Sequence, residues 1–385
     1  SKLQTWQIML LGALLVLLSG EISPVDAASA INPDVMIFLA GMFVIGEAMR
    51  ESGYLFHLFN RIFCRAKNLD QLLLLILFAM GFLSALLMND TLAIIGTPLM
   101  LYLAQALRIS PKLLLLTLAF AVTTGSAMSP IGNPQNLLIA INGSLTNPFL
   151  VFFQYLFIPT VANLVLAYLI LRLFYKSQFQ QTAIEIPKEC ISDPTLANIS
   201  RISIIMLLIL ILAKVLAVTV QSSQQFSLTY IAIFSALPVI LFSSRRWEIM
   251  KHIDWCTLVF FAAMFVLMDS VWRSGFFQSM MQESSLGFGS IPVILALSVF
   301  LSQIISNVPF VALFQPLLHN PSAQDLMALA AGSTIAGNLF ILGAASNVII
   351  IQNAEKSGET LTFLDFARVG VPLTALNVFV YWIFL

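Results

Sequence analysis

The sequence predicts an all-α polytopic membrane protein folded as an inverted structural repeat, with nine transmembrane helices, two re-entrant hairpins and two broken helices. Three observations predict it. The 385 residues are 59% hydrophobic and only 9% charged, with a mean hydropathy of +0.95. Short motifs of the first half return in the second half in the same order. Lysines and arginines fall almost entirely on one side of that arrangement.

A chain this apolar is not a set of soluble domains, although its length would allow two or three. Runs such as Phe149–Phe174 and Ile202–Val220 match the roughly 20 residues that a hydrocarbon core requires. They lack the alternation of a membrane β-barrel. The formal net charge is zero and no basic cluster points to nucleic acid. Cys64, Cys190 and Cys256 are scattered, so they frame neither a disulfide scaffold nor a metal site. No GxGxxG, GxxxxGK[ST] or HExxH occurs and no nucleophile–base pair is visible, so an enzyme, ATP drive and a cofactor have no basis in the residues.

Uninterrupted spans are predicted at 6–19, 34–49, 149–174, 202–220, 228–242, 255–271 and 366–385. The first is short enough for a signal peptide but heads a membrane-spanning chain, so it reads as a span. Two stretches, 72–107 and 291–318, are interrupted at Asn89-Asp90-Thr91 and at Ser306-Asn307-Val308-Pro309, and read as hairpins. Two more, 112–141 and 325–354, carry polar breaks. The first break, Thr123–Asn136, reads TTGSAMSPIGNPQN, and its Gly and Pro residues cannot all sit in a regular helix. At membrane depth the freed backbone groups need protein partners or a wet cavity. Tyr54–Arg65 and Gly275–Glu283 are amphipathic and suit the interface. The organisation is thus a first repeat at 1–176, a linker and linking helix at 177–221, and a second repeat at 222–385.

If both interrupted stretches return to their own side, sixteen of the 18 Lys and Arg lie on one face, with only Lys214 and Arg273 elsewhere. That face reads as cytoplasmic. The expectation is a multi-pass protein of the cell's inner (plasma) membrane, N-terminus cytoplasmic and C-terminus outside. The three cysteines then lie on or near the reducing side, as free thiols.

The repeat pairs Met42-Phe43-Val44 with Met264-Phe265-Val266, and Ser52-Gly53-Tyr54 with Ser274-Gly275-Phe276. Glu47 matches Asp269, Asn89 matches Asn307, Thr123 matches Thr334, Gly132 matches Gly343 and Asn136 matches Asn347. Four spans and one linking helix separate the halves, an odd number, so the second half starts from the opposite side. Inverted repeats with discontinuous helices mark secondary transporters, whose site lies near the midplane between the halves.

The candidate site is therefore Asn89, Asp90 and Thr91 on the first tip, with Ser306 and Asn307 on the second. The first break adds Thr124, Ser126, Ser129, Asn133 and Asn136; the second adds Thr334, Asn338, Ser346 and Asn347. Helix N-termini there suit an anion. The side-chain and carbonyl oxygens suit a small cation, so Na⁺ is expected near Asn89, Asp90, Asn133 and Asn307. Asp90 is the one carboxylate deep among these elements, and an ionised Asp at bilayer centre costs about 2.5–3.5 kcal/mol. It either binds a coupling Na⁺, takes and releases H⁺, or caps the second helix of the hairpin. Glu47 and Asp269 read as helical partners of Arg50 and Arg273. The candidates include no thiol, Arg or Lys. That speaks against thiolate capture, and for a neutral substrate or one whose charge is met by helix ends and a co-bound cation.

NDTLAIIGTPL (89–99), SPIGNPQN (129–136), SQIISNVPFVALFQP (302–316) and the Gly332–Asn347 break resemble the ion transporter superfamily. That group comprises arsenite permeases, NhaD-type sodium–proton antiporters and citrate-transporter-like divalent anion symporters. The Asn89-Asp90 tip resembles the arsenite permeases. Ser306-Asn307-Val308 resembles the Ser-Asn-Thr tip of dicarboxylate symporters, with Val in place of Thr. The resemblance implies an elevator-type mechanism, with connecting arms near Tyr54 and Gly275, and a homodimer in the lipid bilayer. It implies ion-coupled secondary active transport, by H⁺ or Na⁺, of a small inorganic anion or oxyanion, arsenite-like efflux leading. The alternatives are a Na⁺/H⁺ antiporter, a Na⁺-coupled di- or tricarboxylate transporter, and, from another class, an anion channel.

Overall fold

A computed structural model describes residues 4–180, 193–219, 227–282, 289–318 and 320–385. Cys190, Glu283 and most of the polar linker lie outside the described residues. Among the described residues all regular structure is helical.

The chain opens with α1 (Thr5–Leu18), α2 (Pro24–Ala30) and α3 (Pro33–Glu51). The short α2 stands in what reads as a loop from sequence; Pro24 and Pro33 start helices whose caps are the Ser23 and Asn32 side chains. An amphipathic α4 (Tyr54–Phe63) follows Gly53, whose φ of 69° lets the chain turn sharply out of α3. Then come α5 (Leu69–Leu87), α6 (Asn89–Leu107), α7 (Pro111–Ser126), α8 (Pro134–Asn142) and the 27-residue α9 (Pro148–Phe174).

The remaining helices are α10 (Pro194–Thr219), α11 (Leu228–Phe242), α12 (Arg246–His252), α13 (Trp255–Arg273), α14 (Phe276–Gln282), α15 (Ile291–Ile305) and α16 (Asn307–Phe314). After them α17 (Ala323–Ile335), short 3-10 turns at 336–338 and 341–343, α18 (Ala345–Lys356) and α19 (Phe363–Phe384) complete the chain.

Among the described residues six helices are long and apolar enough to cross a membrane, or seven if bent α2–α3 counts as one span. Both α5 and α6 are among the six, so length does not tell a hairpin from two spans. Their joint meets the first break: the Asn89 N–H donates to the Gly132 carbonyl, 2.9 Å away, inside the gap between α7 and α8. The tip therefore sits at the depth of that gap. Both tips turn on a non-glycine residue in a conformation that favours glycine, Met88 at φ 68°, ψ 142° and Ser306 at φ 71°, ψ 160°.

Packing follows one scheme in each half. α7 lies against α5, α6 and α9, and α17 lies against α15, α16 and α19. The halves then interlock, with α16 on α8, α18 on α6, and α9 on α19. Every residue from Leu113 to Ser126 of α7 is buried. Its crossing with α5 is as close as backbones allow, since a Cβ on Gly125 would stand 2.2 Å from the Gly81 carbonyl oxygen. Small residues at crossings are how membrane helices gain packing without a hydrophobic drive between them. By contrast α10 exposes Ile202, Ile205, Ile209, Leu212 and Leu216, an apolar face suited to lipid. Arg50 pairs with Glu47 and Arg273 with Asp269, both at 2.7 Å, as the helical spacing requires.

Candidate functional site

Helix α7 continues through Thr123, Thr124 and Ser126, so the first gap is shorter than the sequence implies and covers 127–133. The side chain of Asn133 caps α8 by accepting the Asn136 N–H at 2.9 Å, and Pro134 fills the first helical position. The Asn136 amide then turns back and donates to the carbonyls of Ser126, Ala127 and Ser129 at 3.2, 3.3 and 3.0 Å. The Ser126 and Ser129 carbonyls also accept the Ser129 and Gly132 N–H at 3.4 and 3.3 Å, so the amide adds to bonds the interrupted helix leaves long. Gly132 lies so close to Ser126 that a Cβ would stand 2.3 Å from its carbonyl oxygen. The second break closes the same way, with Asn347 donating to the Gly337 carbonyl at 2.6 Å. Gln303 of α15 adds a bond to the Ala336 carbonyl at 2.9 Å.

The two breaks are also tied to each other. Asn133 donates to Ser126 Oγ at 3.0 Å and to Thr334 Oγ1 at 3.1 Å, and Thr334 donates to Asn136 Oδ1 at 3.3 Å. Asn338 donates to Thr124 Oγ1 at 3.0 Å. The Ser129 hydroxyl accepts the Ile131 N–H at 3.3 Å. Thr124, Ser126, Ser129, Asn133, Asn136, Thr334 and Asn338 thus build the wall and do not line the cavity it encloses. Thr91 points away as well: a Cβ on Gly46 of α3 would stand 2.6 Å from its methyl group.

The cavity, about 350 Å³, is where the tips meet. Asn89, Pro134, Asn307 and Ala345 all line it, and each is the first residue of a helix, α6, α8, α16 and α18. Four helix N-termini, with their positive dipole ends, therefore converge on one space, although the Asn89, Asp90 and Asn136 N–H groups are already bonded within the protein. The Asn89 amide reaches the Ser346 hydroxyl at 3.5 Å and links the first tip to the start of α18. Asp90 also lines the cavity and is 6% exposed. Among the described residues its carboxylate has no salt bridge, and α6 has no side-chain cap, so the capping role expected as an alternative is not the one it plays. Among the described residues the buried Oδ1 atoms of Asn307 and Asn347 have no donor, and of the two only Asn307 lines the cavity. An unpartnered amide oxygen that shares a cavity wall with a carboxylate fits a small hard cation.

No Lys or Arg lines this cavity among the described residues. Asp254, Cys256 and Gln135 are among the lining groups that escape sequence reasoning, as are Gln4, Thr257 and Gln352. Asp254 caps α13, accepting the Thr257 N–H at 2.9 Å and the Thr257 hydroxyl at 2.6 Å, so in sequence it looks like a helix start and nothing else. The expectation of a site without thiols is corrected: Cys256 is a free, exposed thiol on the cavity wall. It arrives because α13 packs on α1 and α16, a contact that no local pattern announces.

A second cavity, about 620 Å³, is lined by Asn142 and Gly143 past the far end of α8 and by Ala312 of α16. α8 and α16 run side by side, and each has one end at either cavity.

A family model described as "Citrate transporter" matches residues 1–326. An uncharacterized transporter of Mycobacterium bovis is 27% identical over 374 residues, covering 91% of this chain and 85% of the relative. A 46 kDa membrane protein of Mycobacterium leprae is 25% identical over 384 residues, covering 93% and 86%. The P protein of Homo sapiens is 23% identical over 440 residues, covering 90% of this chain and 52% of that protein. The crystal structure of the Alcanivorax borkumensis YdaH transporter superposes with a TM-score of 0.58 at 14% identity, covering 96% of this chain and 86% of that one, which shows the fold alone.

Proposed function

The chain belongs to the citrate transporter family, and on that premise we propose that this multi-pass membrane protein is an ion-coupled secondary active transporter of a small anion, with Asp90 as the coupling residue. The observation that carries the reading is the convergence of four helix N-termini on one cavity that also holds the carboxyl groups of Asp90 and Asp254. Dipole ends attract an anion without a fixed cation. Asp90 and the free oxygen of Asn307 offer a place for the coupling ion, Na⁺ or H⁺. Substrate and coupling ion then neutralise each other in a site of low dielectric, which makes each bind better with the other present.

An arsenite-like oxyanion, carried in its neutral hydroxylated form, suits a lining with an acid and no base. A second reading has the description of the matching family behind it: a carboxylate such as citrate. With no Lys or Arg on the wall, such a substrate would have to enter with cations that cancel its charge. Two cavities separated by the lengths of α8 and α16 support alternating access. In this reading the halves form an inverted repeat, with α5–α6 and α15–α16 as re-entrant hairpins among nine spans. Hairpins and broken helices move elevator fashion on arms beginning at Tyr54 and Gly275, with the N-terminus in the cytoplasm.

The test is thermal stabilisation of the purified protein by arsenite, antimonite, phosphate, sulfate, citrate or succinate, with and without Na⁺ and across pH. A ligand that binds only the folded state raises its apparent stability by mass action. A shift with one anion that also requires Na⁺ or low pH is expected. A shift with Na⁺ or Li⁺ alone, and none with any anion, would replace this reading with a Na⁺/H⁺ antiporter.

A further inference from the structure

The last helix of each half carries one motif that the cavity does not use: Thr160-Val161-Ala162-Asn163 in α9 and Thr374-Ala375-Leu376-Asn377 in α19. The two helices pack antiparallel. Arg368 lies over the Phe174 ring at 5.4 Å, and the Thr160 and Tyr381 hydroxyls meet at 2.7 Å. That register sets Asn163 level with Asn377. From the other side Asn338, in the second break, donates to Asn377 Oδ1 at 3.1 Å. One turn before Thr374, a Cβ on Gly370 would stand 2.2 Å from the Asn338 carbonyl oxygen. Thr374 lies between two residues that both face Asn338, and so faces it too.

Asn163, Asn338 and Asn377 are 0% exposed and Thr374 is 2% exposed. Among the described residues five of their polar atoms have no hydrogen-bond partner: Asn163 Nδ2 and Oδ1, Asn338 Oδ1, Thr374 Oγ1 and Asn377 Nδ2. Asn163 lies beside the Tyr381 hydroxyl without making a well-formed hydrogen bond to it. Polar groups left unpaired inside a membrane protein are costly, so a cluster of five from three elements points to a guest. The set mixes two amide donors, two carbonyl acceptors and one hydroxyl. A cation would serve the oxygens and leave both amide donors unpaired; water accepts from the first and donates to the second.

We propose that the seam between α9 and α19 is an internal hydration site, in which bound water bridges Asn163, Thr374, Asn377 and Asn338 and holds the second break in place. The opposite side of that break, at Ala344 and Ala345, lines the main cavity. Water here is part of the cavity's support, and Asn338 is a positioning residue. The inference is independent of which anion is carried.

The experiment compares purified wild type with Thr374→Val, Asn163→Leu, the double variant and Thr374→Ser, in NaCl and in choline chloride. Apparent Tm and amide hydrogen exchange are read. In a hydrated seam, each apolar variant lowers Tm by a few degrees and the double variant lowers it by less than the sum, because both lose the same bridge. Thr374→Ser keeps the hydroxyl and restores Tm. Exchange rises selectively in peptides covering 336–345. In a dry seam the apolar variants remove orphaned groups and leave Tm unchanged or raised, which overturns the proposal. A Na⁺-dependent Tm in wild type that Thr374→Val abolishes also overturns it, by making the occupant a cation. If neither apolar variant folds, an experimental map decides: bridging solvent density between Thr374 and Asn338 supports the site, and tight protein packing there refutes it.

Discussion

The two hairpin tips share a backbone and differ in chemistry. Met88 and Ser306 adopt nearly the same unfavourable conformation, at φ 68° and 71°, and each precedes an Asn that opens a helix. A non-glycine residue held there costs about 1–3 kcal/mol and persists only where its surroundings impose it. One residue further on, the first tip carries Asp90 and the second carries Val308. The breaks differ in a complementary way. In the first, Asn136 spends its amide on three carbonyls and its oxygen on Thr334. In the second, Asn338 and Asn347 each keep an oxygen with no donor. At the tips and breaks the geometry is therefore duplicated while the chemistry is divided: the tip acid belongs to the first half and the free asparagine oxygens to the second, which also brings Asp254 to the cavity from α13.

Removing the acid has the largest expected effect. Asp90→Asn keeps the shape of the first tip and loses gradient-driven transport in proteoliposomes. Unchanged, pH-independent transport in that variant would sink the coupling role. The comparison is sharpened by placing Val308→Asp in the Asp90→Asn background. No recovery is expected, because the second tip lacks the first tip's surroundings. Recovery would mean that the tips are interchangeable and that the division of chemistry carries nothing.

The breaks come next. Asn136→Leu removes an amide bonded to three carbonyls and an oxygen that accepts from Thr334, and costs about 2–4 kcal/mol, while Asn347→Leu removes one such bond and costs about 1–2 kcal/mol. Thermal unfolding in detergent ranks the two, and equal losses would break the comparison. The second tip follows with a smaller effect of opposite sign. Ser306→Gly relieves strain at the cost of glycine's extra freedom when unfolded, for a net gain of up to about 1 kcal/mol. Met88 is buried, so Met88→Gly also loses core packing and is expected to destabilise; a loss with Ser306→Gly as well would show that the angles at the second tip store no strain.

Much of this layout is legible in the chain because glycine, proline and asparagine act locally. Pro111, Pro134 and Pro148 sit at helix starts, and α5 and α15 stop one residue before Met88's and Ser306's successors begin new helices. Nothing local tells which asparagine finds all its partners. That depends on Thr334 meeting Asn133 across about two hundred residues of sequence, and on Thr124 meeting Asn338. Thr91 looks like a ligand beside Asp90 but is turned into α3 by the helical step between them. Asp254 and Cys256 reach the cavity only through packing of α13. The span count is equally hard to read, since α1, α7, α11 and α15 are each shorter than a continuous crossing needs.

The two arms extend the same contrast to the periphery, where the smallest effect is expected. Each arm begins after a glycine of positive φ, Gly53 at 69° and Gly275 at 72°, and each carries an ion pair just before it. Across elements the two sides differ in extent: Arg273 reaches Asp26 of α2 at 3.2 Å, while on the α4 side Arg245 joins Glu51 at 2.7 Å and Glu248 at 2.8 Å. The hydrogen bond from Arg245 is the main cause that holds the Glu248 carboxyl below its ordinary value of 4.5. A carboxyl whose folded value is depressed contributes stability that is present above the ordinary value and is lost as pH falls through the folded one. Glu248 is fully exposed, so solvent screens most of that contribution. Glu248→Gln is therefore expected to lower Tm slightly at neutral pH, with the difference from wild type fading once the pH drops below the carboxyl's folded value and shrinking in high salt. A difference that stays constant into acid would assign the loss to packing of α12 and leave the charge pairing on the α4 side without a part in holding that arm.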